Sequence, residues 1–460
     1  MECISILLMT ASGKEHTLSE KEEALLAKAS QMSTVPNEVF SKFNNADVKF
    51  GKVKRENGQE DELTNGNFAT FMESHDRAVR KAAFEALYKQ YGAYINTIAA
   101  AFYGNVKQAM FYADARGYKS TLNMYLDGSF IPENVYKNLI KTVNDNLDKM
   151  YCYVDIRKKA LGVDELHFYD IYAPMVEDID WKISYDEAKD IVVKALAPMG
   201  EEYVSHIKEG FNNGWVDVYE NTGKRSGAFS WGAYGTHPYV FLNYSDTLND
   251  VFTVIHEMGH AMHTYYSNAN QPYIYAGYKI FVAEVASTCN EAILMQYMLK
   301  NTDDEKKKRY LLNHFFEQFK GTLYRQTMFA EFEMEAHAKA EHGEVLSAES
   351  LCAMYKKLNE KYFGPDMVID DEIALEWARI PHFYTPFYVY QYATGYSAAI
   401  AISTKILAGD EQVIAGYRKF LSGGSSMHPI ELLKLCGIDM TRPDVVQEAL
   451  DVFGALLKQW

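Results

Sequence analysis

A chain of 460 residues, 48% of them hydrophobic, can bury a large core and exceeds the usual size of one compact domain, so two lobes are the expectation. Its formal charge of −16 removes the electrostatic basis for nucleic-acid binding, because most of the surface repels a phosphate backbone. Five cysteines without a paired spacing (Cys3, Cys152, Cys289, Cys352, Cys436), an opening apolar run too short for a signal peptide, and no stretch of roughly 18 uninterrupted apolar residues together predict reduced thiols, no membrane span and a cytoplasmic address.

Along the chain, alternating runs on either side of Asn57-Gly58 predict a β-hairpin over 48–63. Periodic apolar patterns predict amphipathic helices over 77–92, 132–161, 184–210, 304–342 and 347–363, so the protein reads as mainly α. Between them, 216–220, 227–231 and 238–244 read as short strands joined by glycine turns, a small sheet just before the chemistry. The switch of period near residue 211 suggests a lobe boundary. No internal repeat, low-complexity tract or long linker interrupts this order.

Thr247-Leu-Asn-Asp250 is a helix start signal, and the helix it opens contains His256-Glu-Met-Gly-His260. Val251, Ile255, Met258 and Met262 form its apolar stripe, while His256, His260 and His263 share an adjacent face. Imidazoles four residues apart can both reach one zinc ion at about 2.0–2.1 Å, and Glu257 lies beside them. On this composition such a motif arises by chance in roughly 3 of 100 chains, so it needs support from elsewhere. A third ligand must come from outside the motif, because the metzincin pattern wants Gly at 263 and His at 266, where this chain has His263 and Tyr266.

Glu284 follows His260 by 284 − 260 = 24 residues, on a helix that Val282, Val285, Ala286, Ile293 and Leu294 make look buried. A buried carboxylate is costly unless it is paired or metal-bound, and a ligand role explains that cost. Glu291, seven residues on and on the same face, suits an acceptor that orients a ligand imidazole, or is an ordinary helix-face carboxylate. His263 reads as a packed or hydrogen-bonded neighbour rather than a ligand.

The string His256-Glu-Met-Gly-His-Ala-Met-His263, with Phe281-Val-Ala-Glu-Val-Ala-Ser287, resembles the oligoendopeptidase F branch of the thimet oligopeptidase family. The likeness extends through Lys224 to Phe229, Tyr324 to Glu333, Pro381 to Gly395 and Phe420 to Ser425, and covers nearly everything from about His16 onward. The resemblance implies a mainly α, two-lobed, clam-like zinc peptidase with a small sheet beside the motif helix, whose channel admits oligopeptides and excludes folded proteins. It implies one zinc per chain on His256, His260 and Glu284, with Glu257 as general base. It also singles out a histidine and two tyrosines in the segment 382–396: His382, Tyr390, and one of Tyr384 and Tyr388. Against this family the chain reads as shortened at its start, with 1–45 a remnant helical segment and 46–460 the catalytic domain, divided into a helical lobe (46–210) and a zinc-bearing lobe (211–460).

The expected activity is hydrolysis of internal bonds in short unstructured peptides. An exopeptidase of another H-E-x-x-H family and a non-catalytic protein that binds zinc and peptide are the rivals. The strands of 227–244 offer either an edge for the substrate backbone or a brace for the motif helix. The sequence leaves the oligomeric state unknown.

Overall fold

The computed structural model describes residues 15–176, 179 and 181–460. Cys3 and the opening apolar run lie outside the described residues. The fold is mainly helical, 67% helix against 4% strand, with three small sheets among the described residues.

The chain divides into two compact units, each assembled from separate stretches. The first contains 1–133, 144–177 and 324–390, and the second 134–143, 178–323 and 391–460. Neither is a continuous half of the sequence.

In the first unit, helices Arg77–Ala93, Ile95–Ala115, Arg325–Glu341 and Ala348–Phe363 surround an aromatic core. Phe332 lies 6.1 Å from Phe102 and 5.1 Å from Phe383, and Trp377 lies 5.9 Å from Phe102. The fully buried Asp170 is paired with Arg77 at 2.8 Å and Arg80 at 2.7 Å, which ties helix Arg77–Ala93 to the 3₁₀ turn Phe168–Asp170. The hairpin forms, with Lys52↔Glu62 and Lys54↔Glu60 in register and Gly58 in the left-handed region at φ 85°. It is shorter than the alternation suggested. Within its two strands only Val53 is buried, so little apolar surface rewards longer pairing.

Three of the predicted helices are interrupted. The run 132–161 becomes Glu133–Asn144 and Leu147–Leu161, broken at Asp145-Asn146, two residue types of low helix propensity. The run 184–210 becomes Tyr185–Ala195 and Glu201–Asn212, separated where Pro198 and Gly200 (φ 95°) divert the chain. The run 304–342 opens into a π turn, Phe319–Tyr324, between Glu305–Gln318 and Arg325–Glu341.

The second unit carries the three-stranded sheet. Tyr239–Phe241 is its middle strand, parallel to Val216–Asp217 and antiparallel to Phe229–Trp231, with Phe229↔Phe241 and Trp231↔Tyr239 in register. Phe229–Trp231 is an edge strand lying against the helix Leu248–Asn270. Val251, Ile255, Met258 and Met262 of that helix are fully buried, as the apolar stripe required.

Candidate active site

The motif helix Leu248–Asn270 begins at Thr247, whose hydroxyl accepts the Asp250 N–H at 3.2 Å. The Asp250 carboxylate in turn accepts from the N–H groups of Thr247 and Ser245 at 2.9 and 3.1 Å. Partial burial works against the Asp250 charge, but these bonds and those from both hydroxyls hold its pKa below the ordinary value. A negative charge at a helix N-terminus is stabilised in addition by the helix dipole.

Two turns later His256 and His260 point at Glu284, which is carried by the second helix, Ile280–Lys300. Glu284 Oε2 lies 3.6 Å from His256 Nε2 and 3.4 Å from His260 Nε2. Ligands at about 2.0–2.1 Å around a tetrahedral ion are roughly 3.3–3.5 Å apart, so each imidazole stands from Glu284 at about the separation that two ligands of one zinc ion have, and all three donors lie within 4.8 Å of one another. They are the only such cluster of three histidine, cysteine or acidic side chains among the described residues.

Gly259 makes the approach of the two helices possible. A Cβ there would stand 2.6 Å from Ser287 Cα and 2.8 Å from the Ala286 carbonyl oxygen. Asn290 locks the crossing by donating to the Ile255 carbonyl at 3.3 Å while it accepts from the Tyr203 hydroxyl at 3.1 Å. Ser287 donates to Glu284 Oε2 at 3.0 Å and helps hold the carboxylate toward the histidines.

The electrostatics follow from this crowding. Burial opposes the Glu284 charge, yet the hydrogen bond from His260 and the two imidazoles pull its pKa down to about 2. Burial likewise opposes charge on His256, but its Nδ1 donates a short hydrogen bond to Glu291, and the surrounding carboxylates lift it to about 9 in the metal-free chain. That bond aims the His256 Nε2 at the cluster, where it becomes a ligand lone pair once the ring is neutral. Glu257 is buried, and its Oε2 has no hydrogen-bond partner. Desolvation raises its pKa, while the neighbouring histidines moderate the rise. An orphaned carboxylate oxygen beside three converging donors fits a metal ion with a water molecule better than it fits a closed structural core.

His263 is turned elsewhere. It is fully buried, stacked on Tyr278 at 3.6 Å, and held neutral by desolvation with a pKa lowered to about 3. Glu291 receives His256 on one oxygen and the Gln318 amide on the other at 2.8 Å.

The segment 382–390 belongs to the first unit, and His256, His260 and Glu284 to the second. His382 is exposed in a 3₁₀ turn, Pro381–Tyr384, and its ring is stacked at 6.0 Å over half-buried Tyr388. Tyr384 is buried against Phe40 at 4.3 Å. Tyr390 is buried and opens the helix Tyr390–Leu407.

Sequence reasoning did not single out Gly259, Ser287, Asn290 or Gln318. Gly259 carried a signal, since a glycine inside a helix costs about 1 kcal/mol against alanine and calls for a packing reason. The other three carried none, because their roles are contacts across helices.

Residues 70–452 match the profile described as Peptidase family M3, and residues 10–50 match that described as Oligopeptidase F. The chain belongs to peptidase family M3. It is 53% identical over 446 residues to Oligopeptidase PepF of Bacillus subtilis, covering 97% of this chain and 67% of that one. To the plasmid-borne Oligoendopeptidase F of Lactococcus lactis subsp. cremoris it is 43% identical, covering 97% and 74%. Among solved structures, oligoendopeptidase-F from Enterococcus faecium superposes with a TM-score of 0.84 at 36% identity, covering 99% of this chain and 76% of that one. This M3 metallopeptidase therefore has the mainly helical oligoendopeptidase F fold that its motifs suggested. No helix among the described residues is long and apolar enough to cross a membrane.

Proposed function

We propose that the chain hydrolyses internal peptide bonds of short, unstructured oligopeptides, with one zinc ion held by His256, His260 and Glu284 and with Glu257 as general base. The observation that carries this reading is the convergence of two imidazoles and a carboxylate beside the unpartnered Glu257 Oε2. Its relatives' names, Oligopeptidase PepF and Oligoendopeptidase F, support the peptide substrate and the endopeptidase mode.

Zinc bound there would act as a Lewis acid and lower the pKa of a water molecule toward about 7. Glu257 accepts the proton of the attacking water and delivers it to the leaving amine, a task suited to a carboxylate whose burial raises its proton affinity. Glu291 keeps the His256 Nδ1 proton in place, so that Nε2 stays free to ligate. His382, Tyr388 and Tyr390 are the candidate donors to the carbonyl oxygen as charge builds on it, a contribution commonly worth about 3–4 kcal/mol per donor. Tyr388 is favoured over Tyr384 for the second of these, because Tyr388 is half-buried and stacked with the exposed His382, whereas the Tyr384 hydroxyl is enclosed away from the surface. The edge strand Phe229–Trp231 suits pairing with an extended peptide backbone. Free Cys152, Cys289, Cys352 and Cys436 support a reducing, cytoplasmic setting.

Peptides of mixed length, blocked at both ends, test the reading by mass spectrometry of their products with and without a chelator. Internal cleavage that stops with the chelator and returns with zinc is expected. Resistance of blocked peptides, with stepwise trimming of free ones, would replace the endopeptidase by an exopeptidase.

A further inference from the structure

Behind the candidate metal site a chain of hydrogen bonds runs outward from His256. His256 Nδ1 donates to Glu291 Oε1, and Glu291 Oε2 accepts from Gln318 Nε2 at 2.8 Å. The same Gln318 nitrogen lies 3.5 Å from His314 Nε2. The His314 ring is stacked on Phe252 of the motif helix at 4.6 Å, and its burial disfavours the charged form. The chemistry of these groups sets the direction of every bond. The Gln318 amide presents its NH₂ group to the Glu291 oxygen, which accepts one N–H, and a neutral His314 can accept the other N–H of that group. The amide is thereby oriented from two sides, one of them anchored on the helix that carries His256 and His260.

The backbone explains why Gln318 stands there. It is the last residue of helix Glu305–Gln318, and the π turn Phe319–Tyr324 begins immediately after it. The turn brings Phe319 into the core, 5.0 Å from Tyr396 and 4.8 Å from Phe453, while the preceding residue faces Glu291. Such π turns are rare and occur frequently at functional sites.

Resting on the zinc reading above, we propose that Gln318 is a positioning residue for the metal site: it fixes the Glu291 carboxylate, Glu291 fixes the His256 imidazole, and zinc affinity depends on all three. A partner of a metal ligand commonly changes affinity by 10–100-fold when it is removed, and Gln318 acts one link further out. Gln318→Leu and Gln318→Met, which both remove the donors and keep an aliphatic stem, should raise the zinc dissociation constant of the apoprotein by about three- to tenfold. Competition against a chromophoric chelator measures this without reference to activity, and circular dichroism checks that each variant is folded.

The deciding measurement is a double-mutant cycle. In a Glu291→Ala background the same Gln318 substitutions should leave zinc affinity unchanged within twofold, since the group they act through is gone. A general loss of packing would lower affinity in both backgrounds alike. The proposal is overturned by a change below twofold in both single variants, or by an undiminished effect when Glu291 is absent. If the unmodified apoprotein bound no zinc, the metal reading itself would fall, and this inference with it.

Discussion

Glu257 combines two properties that a general base needs and that an ordinary helix residue avoids: it is buried, and one of its oxygens has no partner. Leaving a buried carboxylate oxygen unsatisfied costs stability, so the position is one where function rather than packing explains the residue. Glu257→Gln keeps the shape and removes the proton acceptor. Zinc content, measured as metal per chain after dialysis, should stay near one, while kcat/KM for a cleaved peptide should fall by about 10²–10⁴-fold. Retention of most of the activity would remove Glu257 from the reaction. His263 shows the opposite case: it shares a helix face with the two candidate ligands by spacing, yet Tyr278 takes its ring and burial keeps it neutral.

At the level of elements, the site exists because two helices pass unusually close. Motif helix Leu248–Asn270 contributes His256 and His260, and helix Ile280–Lys300 contributes Glu284 and Glu291, so any change in their separation alters the distances among the donors. Gly259 is the contact point, and in Gly259→Ala the added methyl meets backbone rather than a side chain that could swing away. Overpacking of this kind costs about 1–3 kcal/mol. The variant should therefore unfold at lower urea concentration, and it should also bind zinc more weakly than an alanine substitution elsewhere on the same helix. Unchanged metal affinity would show that the helices accommodate the methyl without moving Glu284.

For the whole molecule, two fully buried histidines give stability a pH dependence whose sign can be worked out. His263 and His337 have pKa values lowered by burial to about 3, whereas a histidine in the unfolded chain titrates near 6.5. Between these values the unfolded state binds protons that the folded state refuses. Their contribution to stability is thus complete above about pH 6.5 and is lost as pH falls, by about 1.4 kcal/mol per pH unit for each histidine. His256, raised to about 9 in the metal-free chain, is protonated in both states below pH 6, so it adds no slope there. Urea unfolding of the apoprotein between pH 6 and 5 should show uptake of about two protons from this source, and His337→Leu should remove about one of them. A pH-independent midpoint over that interval would contradict the neutral burial of both rings.

Features under local control were legible in the order of residues. The Thr247 to Asp250 start, the four-residue spacing of His256 and His260 and the buried stripe from Val251 to Met262 all follow from backbone hydrogen bonding within one helix, and they read out directly. The mainly helical class was legible for the same reason, as was the family pattern, because several separated motifs occur in order along one chain. Tertiary structure alone decided which distant groups meet. That Glu284 crosses 24 residues of sequence to stand 3.4 Å from His260, that Gly259 permits this, that Gln318 reaches Glu291 and that His263 turns to Tyr278 depend on which helix faces pack together. The π turn at Phe319–Tyr324 and the assembly of each unit from separate stretches belong to the same class. Burial of apolar surface is nearly indifferent to sequence separation, whereas periodicity reports only on neighbours along the chain.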